Sequence, residues 1–376
     1  ETRWGKFRPW ILWAAGPYCV FGVLMFVTPG FDESGKQVYA FITYTVMMIV
    51  YTMMMIPYSS LTGVMTSDHV ERTSLSSYRF VGAYSGTLAV QAAMLWLVAR
   101  LGGGNDQLGF PLAMAFFGVI CLALFLFAFS QVRERVRPPK EQDTSLRQDI
   151  SDLLHNKPWV ILFLVSFVTL VYIAIRAGVT MYYFRYYLER EDLVAAFMAS
   201  GTVLTMLGVT VSSWLTRHFG KRNAYIGCMA LISVSLALHY LAGPTDIVLL
   251  FVLNGIMCLA SGPTMPLVWS RYADAADYSE WRQGRRATGL VYSASTLAYK
   301  AGVAVGGLAL MWILTGFGYV ANQAQTPDAL LGMRLCLSVI PGALALVTVF
   351  LLIDYPLSDR KLDEIQGDLE ARRQAV

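Results

Sequence analysis

Four basic side chains fall within or at the edge of long apolar segments: Arg79, Arg176, Arg185 and Lys300. An ionisable group in hydrocarbon is costly and is kept for a partner charge, an ion path or a substrate. Lys300 stands about 13 residues into its segment, roughly 20 Å along a helix. That is too deep to snorkel, so a role in a polar cavity is expected ahead of a buried structural pair. Arg79 lies near the cytoplasmic start of its segment, where a functional role and simple snorkelling both fit. Arg176 and Arg185 flank the tyrosine-rich MYYFRYYLER. Those two read equally as substrate groups or as the interfacial arginines of an aromatic belt. Asp and Glu are missing from the interior of every apolar segment, Asp246 and Asp354 standing at ends. A buried lysine without a carboxylate is poorly compensated, so its acid is expected in helices ahead of this chain.

The elements that hold these charges are membrane helices. Hydrophobic residues make up 56% of the chain, charged residues only 14%, and the mean hydropathy is +0.51. A soluble domain carries about 25% charge, so this chain is integral to a membrane. Ten apolar segments of bilayer length run near residues 10–29, 37–57, 78–99, 109–130, 158–180, 194–215, 223–242, 247–269, 288–314 and 332–353. Their length and the lack of two-residue alternation exclude a β-barrel. Loops on one side carry 21 Lys and Arg and those on the other only 3, which puts both ends and the long middle loop in the cytoplasm. The basic residues sit in those short loops, so the net charge of +4 is no argument for nucleic acid.

Two landmarks repeat at nearly one offset. The GK step of RWGKFRPW (Lys6) returns in RHFGKRN (Lys221) after 215 positions, and Arg72 of ERTSLSSYR returns as Arg286 of RRATGLVYS after 214. Two copies of one membrane unit follow. Only the second copy has two apolar spans before its GK turn, so two leading helices are expected to precede this chain. The division reads as 1–130 for the first bundle and 131–157 for the middle loop. A six-helix bundle over 158–354 and a tail over 355–376 complete it. Leu146, Ile150, Leu153 and Leu154 form an amphipathic stripe in the loop, and Leu362, Ile365 and Leu369 another in the tail. Pro57, Pro263 and Pro266 are expected to break or end helices near their cytoplasmic ends. Gly302 and Gly306 form a GxxxG that suits close helix packing. Arg72, Arg217, Lys221 and Arg222 could meet Asp68, Asp274 and Asp277 as a cytoplasmic latch.

The five cysteines all fall in apolar spans without a CxxC, and the four histidines have no ligand-spaced partner. No phosphate loop, nucleophile elbow or HExxH occurs. No metal, cofactor or enzymatic activity is expected.

RWGKFRPW, MIPYSSLTGVMTSD, ERTSLSSYR and ADAADYSEWRQGRRATGLVYSASTLAYKAG together resemble the glycoside–pentoside–hexuronide:cation symporters, the melibiose-permease-like branch of the major facilitator superfamily. The resemblance covers the whole chain. It implies an all-α membrane protein of two six-helix bundles, here about ten helices with the first two absent. By position, Lys300 matches the lysine facing the family's cation-site acids, Thr52 a cation-site threonine, and Arg79 a sugar-contacting arginine. Tyr51, Ser295, Thr296 and Tyr299 fall on positions lining the sugar cavity. Met55 and Ser59 depart, standing where relatives place an acid or amide and where melibiose permease has a stacking tryptophan. A thioether cannot hold a sugar hydroxyl as a carboxylate does, which argues against melibiose itself.

The expected function is cation-coupled symport of a glycoside, pentoside or hexuronide by alternating access, with Na⁺ or H⁺ as coupling ion. A multi-pass monomer in a bacterial inner membrane is expected, its partners being the sugar, a monovalent cation and the bilayer. Two rivals remain open: a same-fold carrier of an amphiphile or lysolipid, and a non-transporting membrane sensor or scaffold.

Overall fold

The computed structural model describes residues 4–66, 68–135, 146–284 and 288–374, and among these it is helical with no strand. Arg3, Arg286 and residues 136–145 of the middle loop lie outside the described residues. The chain divides into two compact units. The first comprises Glu1–Ser67 with Ala83–Arg137, the second Asp68–Gly82 with Pro138–Val376.

In the first unit, α1 (Arg8–Leu24) starts with a proline in its first turn and has no side-chain cap of its own. The cap comes from far along the chain. Glu134 accepts the backbone N–H groups of Lys6, Phe7 and Arg8 at 3.0, 2.8 and 3.0 Å. A carboxylate on the free amides of a helix start is favoured by both hydrogen bonding and the helix dipole. Glu134→Ala should therefore lower stability by about 1–3 kcal/mol, read as a lower Tm of the detergent-solubilised protein, with Glu134→Gln losing less.

The second helix, α2 (Glu33–Met65), is capped by Asp32, which accepts from Gly35 N at 3.0 Å. It runs straight through Pro57 to Met65, so the break or end expected at Pro57 does not occur. Proline costs one backbone bond, and a helix that loses solvent as an alternative partner continues past it. α3 (His69–Gly102) is divided between the units, and α4 (Asp106–Gln131) opens on an Asn105 cap that accepts from Gln107 N at 3.0 Å. Gly102 and Gly109 lie backbone against backbone, where any side chain would collide.

The second unit begins with α5 (Leu146–Leu154), in which Leu153 is buried while Ile150 and Leu154 are exposed. α6 (Lys157–Tyr182) follows an Asn156 cap and widens into a π-helical turn at Tyr183–Tyr187. α7 (Val194–Thr210) leads to α8 (Ser212–Leu238), whose chain turns at Gly220 with φ of 74°. This is the glycine of RHFGKRN, and the left-handed conformation there suits a residue without a Cβ. α9 (Ile247–Ser261) and α10 (Thr264–Gln283) are parted at Gly262–Pro263, as Pro263 implies, and Pro266 sits in the first turn of α10. α11 (Thr288–Gly316) presents Gly302 and Gly306 to α6, where added carbons would strike the Phe167 and Val171 carbonyls. That contact is the close packing the GxxxG implies. α12 (Pro327–Leu337) and α13 (Val339–Ile353) meet at a kink at Ser338. Last, α14 (Asp359–Gln374) buries Leu362, Ile365 and Leu369 in the core.

Among the described residues, eight helical stretches are long and apolar enough to cross a membrane, or nine if the bent α3 is one span. α1, at 17 residues, falls just short of that length, which accounts for the tenth segment marked in the sequence.

Candidate functional site

Within the second unit, α6, α10 and α11 enclose a cleft lined by Ser166, Thr169, Trp269, Tyr272, Ser295 and Tyr299 among others. The kink before α10 aims the Trp269–Tyr272 turn at the middle of α6. The Tyr272 and Ser166 hydroxyls lie 2.6 Å apart, and Trp159 Nε1 donates to Ser295 Oγ at 3.2 Å. The Thr169 hydroxyl is buried with no hydrogen-bond partner among the described residues. Arg79 lays its guanidinium 4.7 Å from the Trp269 ring centroid, and Trp269 in turn stacks on Tyr292 at 5.9 Å and 15°. A wall of hydroxyls and aromatic faces beside a cation can hold a polyol: ring faces take its C–H surface and the polar groups its hydroxyls.

The residues singled out in the sequence separate into groups. Ser295 and Tyr299 line this cleft, Arg79 lies over the Trp269 ring that also lines it, and Lys300, half-buried, follows Tyr299 on α11. Thr296 lies one residue from Ser295 but turns its hydroxyl back onto the Tyr292 carbonyl at 2.9 Å. Tyr51, Met55 and Ser59 recur every fourth residue on α2 of the first unit, with Thr52 next to Tyr51. Tyr51 packs on Tyr18 at 6.5 Å, and Thr52 Oγ1 donates to Met48 O at 2.7 Å. Met55 is half-buried, while Ser59 is fully buried with its hydroxyl unpartnered among the described residues.

A second constellation lies at the helix ends of the same unit. Arg72, fully buried, reaches Asp274 at 3.2 Å and also Asp277, while Lys221 Nζ donates to Asp274 at 2.6 Å. Four of the expected latch residues thus converge. Arg222 turns away to the Leu352 and Ile353 carbonyls. Asp68 is exposed and accepts the Glu71 amide at 3.1 Å, capping α3. The interior also holds Arg271, whose guanidinium lies 4.4 Å over the Tyr355 ring. Burial pushes the Tyr355 phenol well above its ordinary range.

Arg176 and Arg185, flanking one motif, part company. Arg185 is exposed and pairs with Glu191 at 3.0 Å, as an interfacial residue does. Arg176 points inward, donating to Asn254 Oδ1 at 2.7 Å and lying 5.7 Å over Phe197. For Arg176 the aromatic-belt reading is therefore corrected. Sequence reasoning overlooked Ser166, Thr169, Trp269 and Tyr272. A signal existed for the first two: Ser166, Thr169 and Arg176 fall at helical spacing on one face of an otherwise apolar segment.

With the geometry in place, similarity to known proteins decides the family. The family described as MFS/sugar transport protein matches residues 1–359. The chain belongs to the major facilitator superfamily. Within it, the chain is a member of the glycoside–pentoside–hexuronide:cation symporters. It is 33% identical over 348 residues to the inner membrane symporter YicJ of Escherichia coli, covering 92% of this chain and 75% of that one. It is 32% identical over 363 residues to the isoprimeverose transporter of Lactiplantibacillus pentosus, covering 94% and 75%. Its fold matches the crystal structure of the fucose:proton symporter FucP of E. coli with a TM-score of 0.67 at 12% identity, over 93% of this chain and 84% of that one. Major facilitator architecture, all-helical and multi-pass, is thereby established for this chain.

Proposed function

We propose that the chain is a secondary transporter that couples a monovalent cation, Na⁺ or H⁺, to uptake of a sugar-like substrate of the glycoside, pentoside or hexuronide kind. The observation that carries this reading is the cleft of α6, α10 and α11. It gathers hydroxyls and stacked aromatics from three helices, with Arg79 over the Trp269 ring, in a chain whose relatives include an isoprimeverose transporter.

In this reading Trp269 and Tyr299 offer ring faces to the sugar, and the Thr169, Ser166 and Ser295 hydroxyls meet its oxygens. Arg79 takes a hydroxyl or carboxylate. Lys300 and Thr52 belong to the coupling-ion site, and Tyr51, Met55 and Ser59 to the substrate path on α2. Arg72, Lys221, Asp274 and Asp277 act as the cytoplasmic gate. With Arg72 in place two cations face two carboxylates; opening toward the cytoplasm separates Arg72 from its two acids, so occupancy of the site must offset that cost. Both termini face the cytoplasm, and the protein works as a monomer in the inner membrane.

Calorimetric titration of the purified protein with a panel of pentosyl glycosides and uronides, with and without Na⁺ and across pH, tests this. At least one sugar should bind, and more tightly when the coupling ion is present, because linkage is reciprocal. Trp269→Ala should weaken that binding roughly tenfold or more, as expected for a lost aromatic platform worth about 1.5 kcal/mol. Binding of lysolipid but no sugar would overturn the proposal.

A further inference from the structure

Two of the five cysteines are neighbours in space. Cys19 on α1 and Cys121 on α4, both in the first unit, are half-buried and unoxidised. Cys19 Sγ donates to the Gly118 carbonyl at 3.2 Å, one turn before Cys121 on the same helix. Cys228, Cys258 and Cys336 are all buried and belong to the second unit. Against the pair lies the Tyr18 ring, held edge-on by Phe125 at 5.9 Å and tilted on Tyr51 at 6.5 Å. The dithiol thus sits one aromatic ring away from the α2 face that carries Tyr51, Met55 and Ser59.

We infer that Cys19 and Cys121 form a vicinal dithiol modification site, closing to a disulfide under a two-electron thiol oxidant and capturing trivalent arsenicals. Thiols within one helical turn of each other across two packed helices need little backbone movement to be bridged, and half-burial leaves them open to membrane-permeant reagents. With a diazene oxidant one sulfur adds to the N=N bond and the second sulfur displaces it. One S–S bond forms, and two protons and two electrons pass to the diazene, which leaves as the hydrazine. With an aryl arsine oxide the two thiols replace the oxo group, two As–S bonds form, and one water leaves without redox change. The bridge ties α1 to α4 beside Tyr51.

The test uses the purified full chain in detergent. After diamide, alkylation followed by intact mass should show two of five thiols lost, and digestion should yield a Cys19–Cys121 cross-linked peptide that dithiothreitol releases. Phenylarsine oxide should add once per chain. Cys19→Ser and Cys121→Ser should each abolish both reactions, while Cys258→Ser should leave both intact. The inference fails if all five thiols still alkylate after diamide in the unsubstituted protein. It fails equally if the arsenical adduct survives in the Cys19→Ser chain.

Discussion

Substituting alanine for Lys300 should cut gradient-driven uptake of substrate roughly 10–100-fold while leaving the fold intact. Lys300 follows Tyr299 on the cleft-lining helix and is half-buried in the middle of a membrane segment. An ammonium at that depth repays its desolvation only through strong polar contacts. A charge-assisted hydrogen bond is worth about 1.5–3 kcal/mol, so the coupled uptake rate should fall roughly 10–100-fold. Tm should change little, because half-buried Lys300 is no part of the apolar core. Initial uptake under an imposed cation gradient, compared with exchange at equal concentrations on both sides, separates coupling from binding. Full accumulation by the Lys300→Ala variant would remove this residue from the mechanism. Lys300→Arg should not rescue, because a planar fork cannot replace a compact ammonium.

The second large effect falls on the buried charges. Asp274 takes Arg72 and Lys221 at once, with both side chains of each pair almost wholly shielded from solvent. Removing the acid takes from two buried cations the carboxylate they share. Asp274→Ala should cost about 3–5 kcal/mol, the usual penalty for an uncompensated buried charge. Replacing Lys221 by Met and Asp274 by Leu together should cost much less than the sum, since no charge is left unpaired by that swap. Thermal unfolding of the two single variants and the double variant reads this directly. Additive losses would mean that the short Lys221–Asp274 contact contributes no coupling.

What the sequence made legible follows from what membrane physics forces into it. Segment length and the Gly220 turn each have one physical cause, and helices stand where those signals point. The pairing of Arg72 and Lys221 with Asp274 and Asp277 was readable because opposite charges at neighbouring helix ends attract. Arg222 and Asp68 carry the same charges but sit at helix ends with carbonyls and amides to satisfy, and charge alone does not tell the two cases apart. Pro57 misled for a related reason: proline ends helices in water, where a freed carbonyl has solvent to turn to, and the interior of a bilayer offers none. Glu134 capping a helix more than a hundred residues upstream, and Trp269 beneath Arg79, depend on tertiary placement. Local patterns do not encode it. Arg176 and Arg185 make the same point within one motif, since nine residues of helix and π-turn send one inward and the other to the surface.

The most direct measurement is sugar uptake into proteoliposomes carrying this chain, with an inward Na⁺ or H⁺ gradient imposed and then dissipated by an ionophore. Accumulation of a glycoside or uronide above its external concentration, collapsing to equilibrium when the gradient is lost, is the predicted result. Uptake of such a sugar at one rate regardless of either gradient, or none under both, would contradict the account.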